Sequence, residues 1–177
     1  MNVLQGTYRL HLEAFRLQHK QQLSDDMVHL DGDPILIDAP FLFEDSGINK
    51  IGDTWYYTYC TNWQDRKDSK DPDKMPIAVI GYMTSKNPLG PFEYKGYTLE
   101  NPGTAFGAWG NNHHWIFSFR GKWYIAYHTQ ALEKTVCCEK GGYRNVFIDN
   151  FAVKSAFPVS ISFMPAASSI AFSTLIP

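Results

Sequence analysis

Hydrophobic and polar residues alternate along most of the chain in short runs, and clusters of turn-forming residues separate them. Trp55–Thr61 (WYYTYCT), Ile77–Thr84 (IAVIGYMT), Trp115–Phe119 (WIFSF), Trp123–Thr129 (WYIAYHT) and Val146–Val153 (VFIDNFAV) have the length and the aromatic and β-branched content of strands. The segments between them, SKNPLGPF and NPGTAFGAWGNN, carry the Gly, Pro and Asn residues that turns require. No long amphipathic helix interrupts the series, so the pattern predicts an all-β domain. Residues 6–23 are polar and mixed, with helical spacing at Leu10, Ala14, Leu17 and Leu23. From Met27 short apolar runs begin, broken at Asp31-Gly32-Asp33-Pro34, which reads as a turn. Asp65–Lys74 (DRKDSKDPDK) alternates charge without apolar anchors and reads as an exposed loop. Ser155–Pro177 has no charge, but Pro158, Pro165 and its serines argue against a membrane helix and for one further strand and a tail. The chain therefore divides into an N-terminal segment (1–22), a β domain (23–154) and an uncharged end (155–177).

Within the β domain one pattern occurs twice. Trp55/Trp123, Tyr56/Tyr124, Tyr59/Tyr127 and Thr61/Thr129 share a single offset of 68 residues, each set following a Gly-containing turn. A repeat of a turn plus an aromatic strand at that spacing fits the blades of a β-propeller, each a small antiparallel sheet.

Composition narrows the function classes. Charged residues make up 19%, aromatics 15%, and the net charge is −2, so no basic field exists to attract nucleic acid or an anionic membrane. Aromatic faces with few charges suit sugars and peptides, and they also suit an ordinary β core. Cys60, Cys137 and Cys138 are odd in number and have no zinc spacing, which reads as buried free thiols in a reducing compartment. The first 22 residues lack the apolar core of a signal peptide, so a cytoplasmic location is expected unless the N-terminus is truncated.

Four ordered motifs, FEDSGINKIGDTWYYTYCTN, GYMTSKNPLGPFEYKG, WGNNHHWIFSFRGKWYIAYH and GGYRNVFIDNF, together resemble glycoside hydrolase family 43 from about Leu23 to Val153. These are five-bladed propellers that trim arabinose and xylose from plant polysaccharides, of the arabinofuranosidase and xylosidase type. The resemblance implies a partial propeller of about two to three four-stranded blades. It also implies an inverting glycosidase acting on pentose-containing oligosaccharides or polysaccharides. Glycoside hydrolysis needs one carboxyl group held protonated for the leaving oxygen and another ionised to activate water. Glu44 follows Phe41 and Phe43, where burial against rings would hold a carboxyl protonated, and it matches the family's general acid. Asp45 reads as a turn aspartate bonding a backbone N–H of the DSG turn. Neighbouring histidines on a strand face opposite ways, so only one of His113 and His114 can reach a shared centre. By resemblance His113, with His114 as second candidate, contacts a structural calcium at the propeller axis, although no carboxylate cluster accompanies it. Arg144 matches an arginine of the sugar pocket; a salt bridge to Asp149 or Glu139 is the competing reading. Trp109, in a Gly-rich loop, is the candidate sugar platform, while Trp55, Trp63 and Trp115 read as packing residues.

The family's mechanism also needs a base aspartate and an orienting aspartate, both upstream of the acid. Asp25, Asp26, Asp31, Asp33 and Asp38 precede Glu44, and none stands in a matching motif. The alternative expectations are therefore a catalytically incomplete fragment or a non-catalytic carbohydrate-binding piece, with a protein-interaction propeller as a third. An incomplete propeller exposes sheet edges and apolar surface, which favours self-association.

Overall fold

The computed structural model describes residues 18–26, 28–64, 66, 75–110, 112–132, 143–151 and 170–172. These form three antiparallel sheets. A hairpin pairs β1 (Gln18–Leu23) with β2 (Leu30–Ile37). The first four-stranded sheet runs in chain order through β3 (Leu42–Ile51), β4 (Thr54–Thr61), β5 (Ile80–Ser85) and β6 (Glu93–Leu99). A short helix, α1 (Pro102–Phe106), leads to the second, which contains β7 (His114–Phe119), β8 (Lys122–Thr129), β9 (Asn145–Asn150) and β10 (Ile170–Phe172). Each is a meander of the kind that makes a propeller blade, so the expected all-β partial propeller is observed.

The internal echo is structural. β4 and β8 are the second strands of their sheets, each hydrogen-bonded on both sides; both are aromatic, and β4 is buried from Tyr57 to Thr61 while β8 is buried at the alternate positions Ile125, Tyr127 and Thr129. Arg120 and Gly121 (φ 50 and 74) make the two-residue connection between Phe119 and Lys122, with the paired left-handed conformation that a tight hairpin demands.

The first strands of the two sheets, β3 and β7, lie side by side. The Asn49 amide donates to the Ile116 carbonyl at 2.9 Å, and the Trp115 ring covers Gly47 so closely that a Cβ there would sit 3.2 Å from it. Cys60, Ile80 and Leu99 of the first sheet pack with Ile116, Ile125, Tyr127, Phe147 and Phe151 of the second in one core. Each fully buried aliphatic side chain there contributes about 1.5–3 kcal/mol. A second cluster, Ile37, Leu42, Tyr57, Tyr59 and Met83, ties the end of β2 to the first sheet.

Several expectations change. The helical spacing over 6–23 is not realised where it is described, because 18–23 is strand β1; the boundary at 22/23 falls inside it. Asp31–Pro34 does not reverse the chain. Between Lys20↔Ile35 and Gln22↔Asp31, β1 advances two residues and β2 four, so the extra residues form a bulge with Gly32 left-handed (φ 72). The strand predicted over Ile77–Thr84 begins at Ile80 rather than Ile77, because Ala78 is left-handed (φ 51). NPGTAFGAWGNN contains α1, capped by the Asn101 side chain accepting from Gly103 N–H at 2.9 Å and stopped by left-handed Gly107. The strand expected in the uncharged end is β10; the other residues of 155–177, with Cys137 and Cys138, lie outside the described residues. Of Asp65–Lys74 only Arg66 is described, and it folds back, with its guanidinium 3.9 Å from the Phe41 ring. Among the described residues no helix is long and apolar enough to cross a membrane.

Candidate functional site

The site forms where the start of β3 meets the start of β7. Leu42 pairs with Thr61, Glu44 with Cys60 and Ser46 with Tyr59, so β3 twice advances two residues against one of β4. These two bulges, with Asp45 left-handed at φ 52, turn successive carboxylates toward β7. Glu44 Oε1 lies 2.8 Å from His113 Nε2, off the line of an aligned hydrogen bond. Asp45 Oδ2 accepts both the backbone N–H and the Nδ1–H of His114, each at 2.8 Å. The two acid–histidine pairs thus share one 69-residue spacing but differ in environment. The Glu44 and His113 side chains are 33% and 36% exposed, whereas those of Asp45 and His114 are 21% and 1%. Burial disfavours the charged form of Asp45, but the hydrogen bond and charge of His114 outweigh it and hold the carboxyl below its usual range. The far nitrogen of His114 meets Thr58 Oγ1 at 2.8 Å.

His128, at the end of β8, backs this arrangement. Its Nε2 accepts the His113 backbone N–H at 3.1 Å, its own N–H donates to the His113 carbonyl at 3.1 Å, and the two rings meet edge to face at 5.0 Å. Because Nε2 accepts, the neutral ring carries its proton on Nδ1. That atom is buried and, among the described residues, has no hydrogen-bond partner. Burial first, then the charges of Arg144 and His113, lower the His128 pKa to about 4, so the imidazole is neutral at physiological pH. On the other side, Asn112 is fully buried and accepts from the Cys60 thiol at 3.3 Å. Burial pushes that thiol up to about 12, which keeps it protonated and inert.

Of the residues singled out from sequence, Glu44 meets His113, His113 meets His128, and the charge of Arg144, exposed just ahead of β9, is felt at His128. The Asp149 carboxylate accepts the Tyr127 hydroxyl at 2.7 Å, and Glu139 lies outside the described residues. Trp109 is 51% exposed, stands edge-on to Trp63 and lies over Gly103, where a Cβ would clash with its ring. Trp115, read as packing, is 53% exposed although it covers Gly47. The environment expected for Glu44 is corrected: the Phe41 ring faces Arg66, Phe43 is itself exposed, and the carboxylate meets an imidazole instead of aromatic walls. Asp45 is also corrected, since it bonds the neighbouring strand rather than a turn.

A calcium ion at His113 is not supported by the donors present. Among the described residues no three His, Cys, Asp or Glu side chains form a metal-holding group. Calcium takes about 6–8 oxygen ligands. Beside the acceptor Asn145 Oδ1, the unsatisfied buried atoms here include Asn112 Nδ2 and the protonated His128 Nδ1, two N–H donors that repel a cation. They suit oxygen acceptors such as hydroxyls. His114, the second candidate, is committed to Asp45 and Thr58. The residues that sequence reasoning left without a role were His128 and Asn112. The echo held one signal: at the 68-residue offset His128 occupies the place of Cys60, an imidazole where the other sheet has a small thiol.

No family model matches the chain. It is 44% identical over 139 residues to an arabinoxylan arabinofuranohydrolase of Paenibacillus polymyxa, covering 78% of this chain and 21% of that protein. It is also 44% identical over 128 residues to the Bacillus subtilis (strain 168) protein of the same name, covering 72% and 24%. The chain therefore spans about a fifth to a quarter of the length of these curated relatives. Among solved structures, the glycoside hydrolase family 43 arabinoxylan arabinofuranohydrolase from Bacillus subtilis, in complex with cellotetraose, superposes with a TM-score of 0.69 at 39% identity, over 81% of this chain and 30% of that one. The paired blade-like sheets, the carboxylates on the first strand and these likenesses agree: the chain is similar to one part of the glycoside hydrolase family 43 arabinoxylan arabinofuranohydrolases.

Proposed function

We propose that this chain carries the proton-donating side of a glycosidase that releases arabinose or xylose from plant polysaccharides or their oligosaccharides, with Glu44 as general acid. The observation that carries the reading is the part-exposed Glu44 carboxyl on the bulged first strand, its Oε1 2.8 Å from His113 Nε2. In this reading Glu44 protonates the departing glycosidic oxygen. Arg144 and the Trp109 ring bind the sugar, through forked hydrogen bonds and stacking respectively. His113 serves to fix the acid rather than to hold a metal.

A second reading is favoured by a specific feature. Inversion needs a partner carboxylate about 6.5–9.5 Å from the acid across a water. The carboxylate next to Glu44 belongs to Asp45, and its Oδ2 is committed to two His114 donors. The described residues would then bind pentosides without hydrolysing them, the base coming from elsewhere.

Leaving-group dependence tests the assignment. Glu44→Gln is expected to slow release from arabinoxylo-oligosaccharides by about 10²–10⁴-fold. A dinitrophenyl pentoside, whose leaving group needs no proton, should lose far less. Equal losses on both substrates would remove the acid role. Calorimetric binding of xylo-oligosaccharide without turnover by the wild-type chain would establish the second reading. We also propose self-association through exposed apolar groups such as Trp115 and Phe119, 53% and 57% exposed. A sedimentation coefficient independent of concentration would exclude it.

A further inference from the structure

Consecutive residues on β3 meet His113, just ahead of β7, and His114, its first residue, and only one of the two pairs is open to a substrate. The buried pair is the more tightly made. A single oxygen, Asp45 Oδ2, takes two N–H donors of His114, and Thr58 Oγ1 closes the other side of the ring at 2.8 Å. Thr58 lies on β4, so this chain of contacts joins three strands from two sheets. Asp45 holds its left-handed backbone (φ 52) in the middle of the double bulge, a conformation that costs a non-glycine residue about 1 kcal/mol or more. Such a conformation persists only where surrounding contacts enforce it, and the contacts that do so here come from His114. The bulge in turn sets the direction in which Glu44 leaves the strand.

We infer that Asp45 and His114, with Thr58 behind them, are positioning residues that hold the bulged strand in register with β7 and so aim the Glu44 carboxyl at His113. The inference rests on the reading of Glu44 as the acid, and it adds the device that orients it. Asp45 does not touch substrate in this scheme. Its Oδ2 accepts both N–H groups, so His114 carries its proton on Nδ1 and in the neutral ring the Thr58 hydroxyl donates to Nε2.

The test combines steady-state kinetics on an aryl arabinofuranoside with an NMR readout that does not need turnover. Asp45→Ala is expected to lower kcat by about tenfold or more with KM nearly unchanged, the mark of lost alignment rather than lost binding. Asp45→Asn, whose carbonyl still accepts both N–H groups, should restore most of the rate. Combining Asp45→Ala with His114→Ala should be no worse than either alone, because one contact is being removed twice. Thr58→Val, nearly isosteric, gives a milder version of the same loss should the His114 variant fail to fold. In protein labelled with 15N-histidine, the His113 Nε2 resonance should move in Asp45→Ala and stay put in Asp53→Ala, a change on the exposed hairpin. An unchanged kcat, a loss residing in KM, additive effects of the two alanines, or an unmoved His113 signal would each overturn the inference. A wild-type chain that releases no pentose would defeat the catalytic reading alone, and the positioning would then stand or fall by the NMR result.

Discussion

Replacing Gly81 by alanine adds a single methyl group opposite Tyr59, its partner across β4 and β5. The new Cβ would lie 2.9 Å from Tyr59 Cζ, 3.0 Å from its Oη and 3.2 Å from its Cε2. Ordinary contacts of this kind begin near 3.4 Å, so the ring must move. It has nowhere to go: Tyr59 is fully buried, stacks on Tyr57 with 5.6 Å between centroids, and donates its hydroxyl to the Pro40 carbonyl at 3.0 Å. Overpacking of this sort costs about 1–3 kcal/mol. Losing the bond to Pro40 adds about 0.5–1.5 kcal/mol, and removing a glycine from a strand returns about 0.5–1 kcal/mol. The net expectation is a destabilisation of about 1–3 kcal/mol. Gly47→Ala makes the comparison informative. Its Cβ would sit 3.2 Å from Trp115, which is half exposed and can swing outward, so its cost should stay below about 1 kcal/mol. Urea unfolding followed by tryptophan fluorescence gives both values from midpoints at constant m. If Gly47→Ala costs as much as Gly81→Ala, or Gly81→Ala lies within about 0.5 kcal/mol of wild type, burial of the obstructing ring is not what decides the outcome.

Two further predictions concern buried titratable groups. Tyr127→Phe removes the donor on Asp149, a bond of 2.7 Å between two buried side chains, and should cost about 1.5–3 kcal/mol by urea titration at pH 7; a neutral result would mean that the pair contributes nothing net. His128 has a folded-state pKa of about 4 against an ordinary value of 6.5, so between these limits the unfolded chain binds a proton that the folded chain does not. Stability linked to His128 therefore falls as pH drops from about 6.5 toward 4 and levels off below, by roughly 2 kcal/mol once residual solvent exposure is allowed for. His128→Asn should flatten that part of the pH profile, and a profile as steep as wild type would exclude His128 as its source.

Strands whose residues alternate over a full run were legible in the sequence, as with Trp123–Thr129, because burial on β8 follows the pleat that the pattern encodes. β3 was not. Its ten residues include Asp45-Ser46-Gly47, which local propensity reads as a turn, and long-range contacts, the ladder with β4 and the bonds of Asp45 to His114 on β7, keep this stretch extended through two bulges. The same cause hid the role of Asp45: its partner lies 69 residues away and leaves no local trace. Glu44 and His113 were legible as residues, yet their contact with each other was not, since it depends on how two blades are placed side by side. β6, with Tyr94 and Tyr97 but a left-handed Gly96 at φ 122 between them, lacked a continuous run to announce it.

The correspondence of Cys60 and His128 has a meaning for how a repeated architecture acquires a task. Both occupy the penultimate position of the second strand in their sheets, and both reach the short segment that opens β7, one through Asn112 and the other through the His113 backbone. A duplicated unit therefore provides the same address twice, on either side of a single piece of chain. A thiol at one address keeps that side inert, and an imidazole at the other makes it polar. Differentiation of two copies of one blade can thus be local, confined to a side chain on each, while the scaffold that delivers them stays common to both.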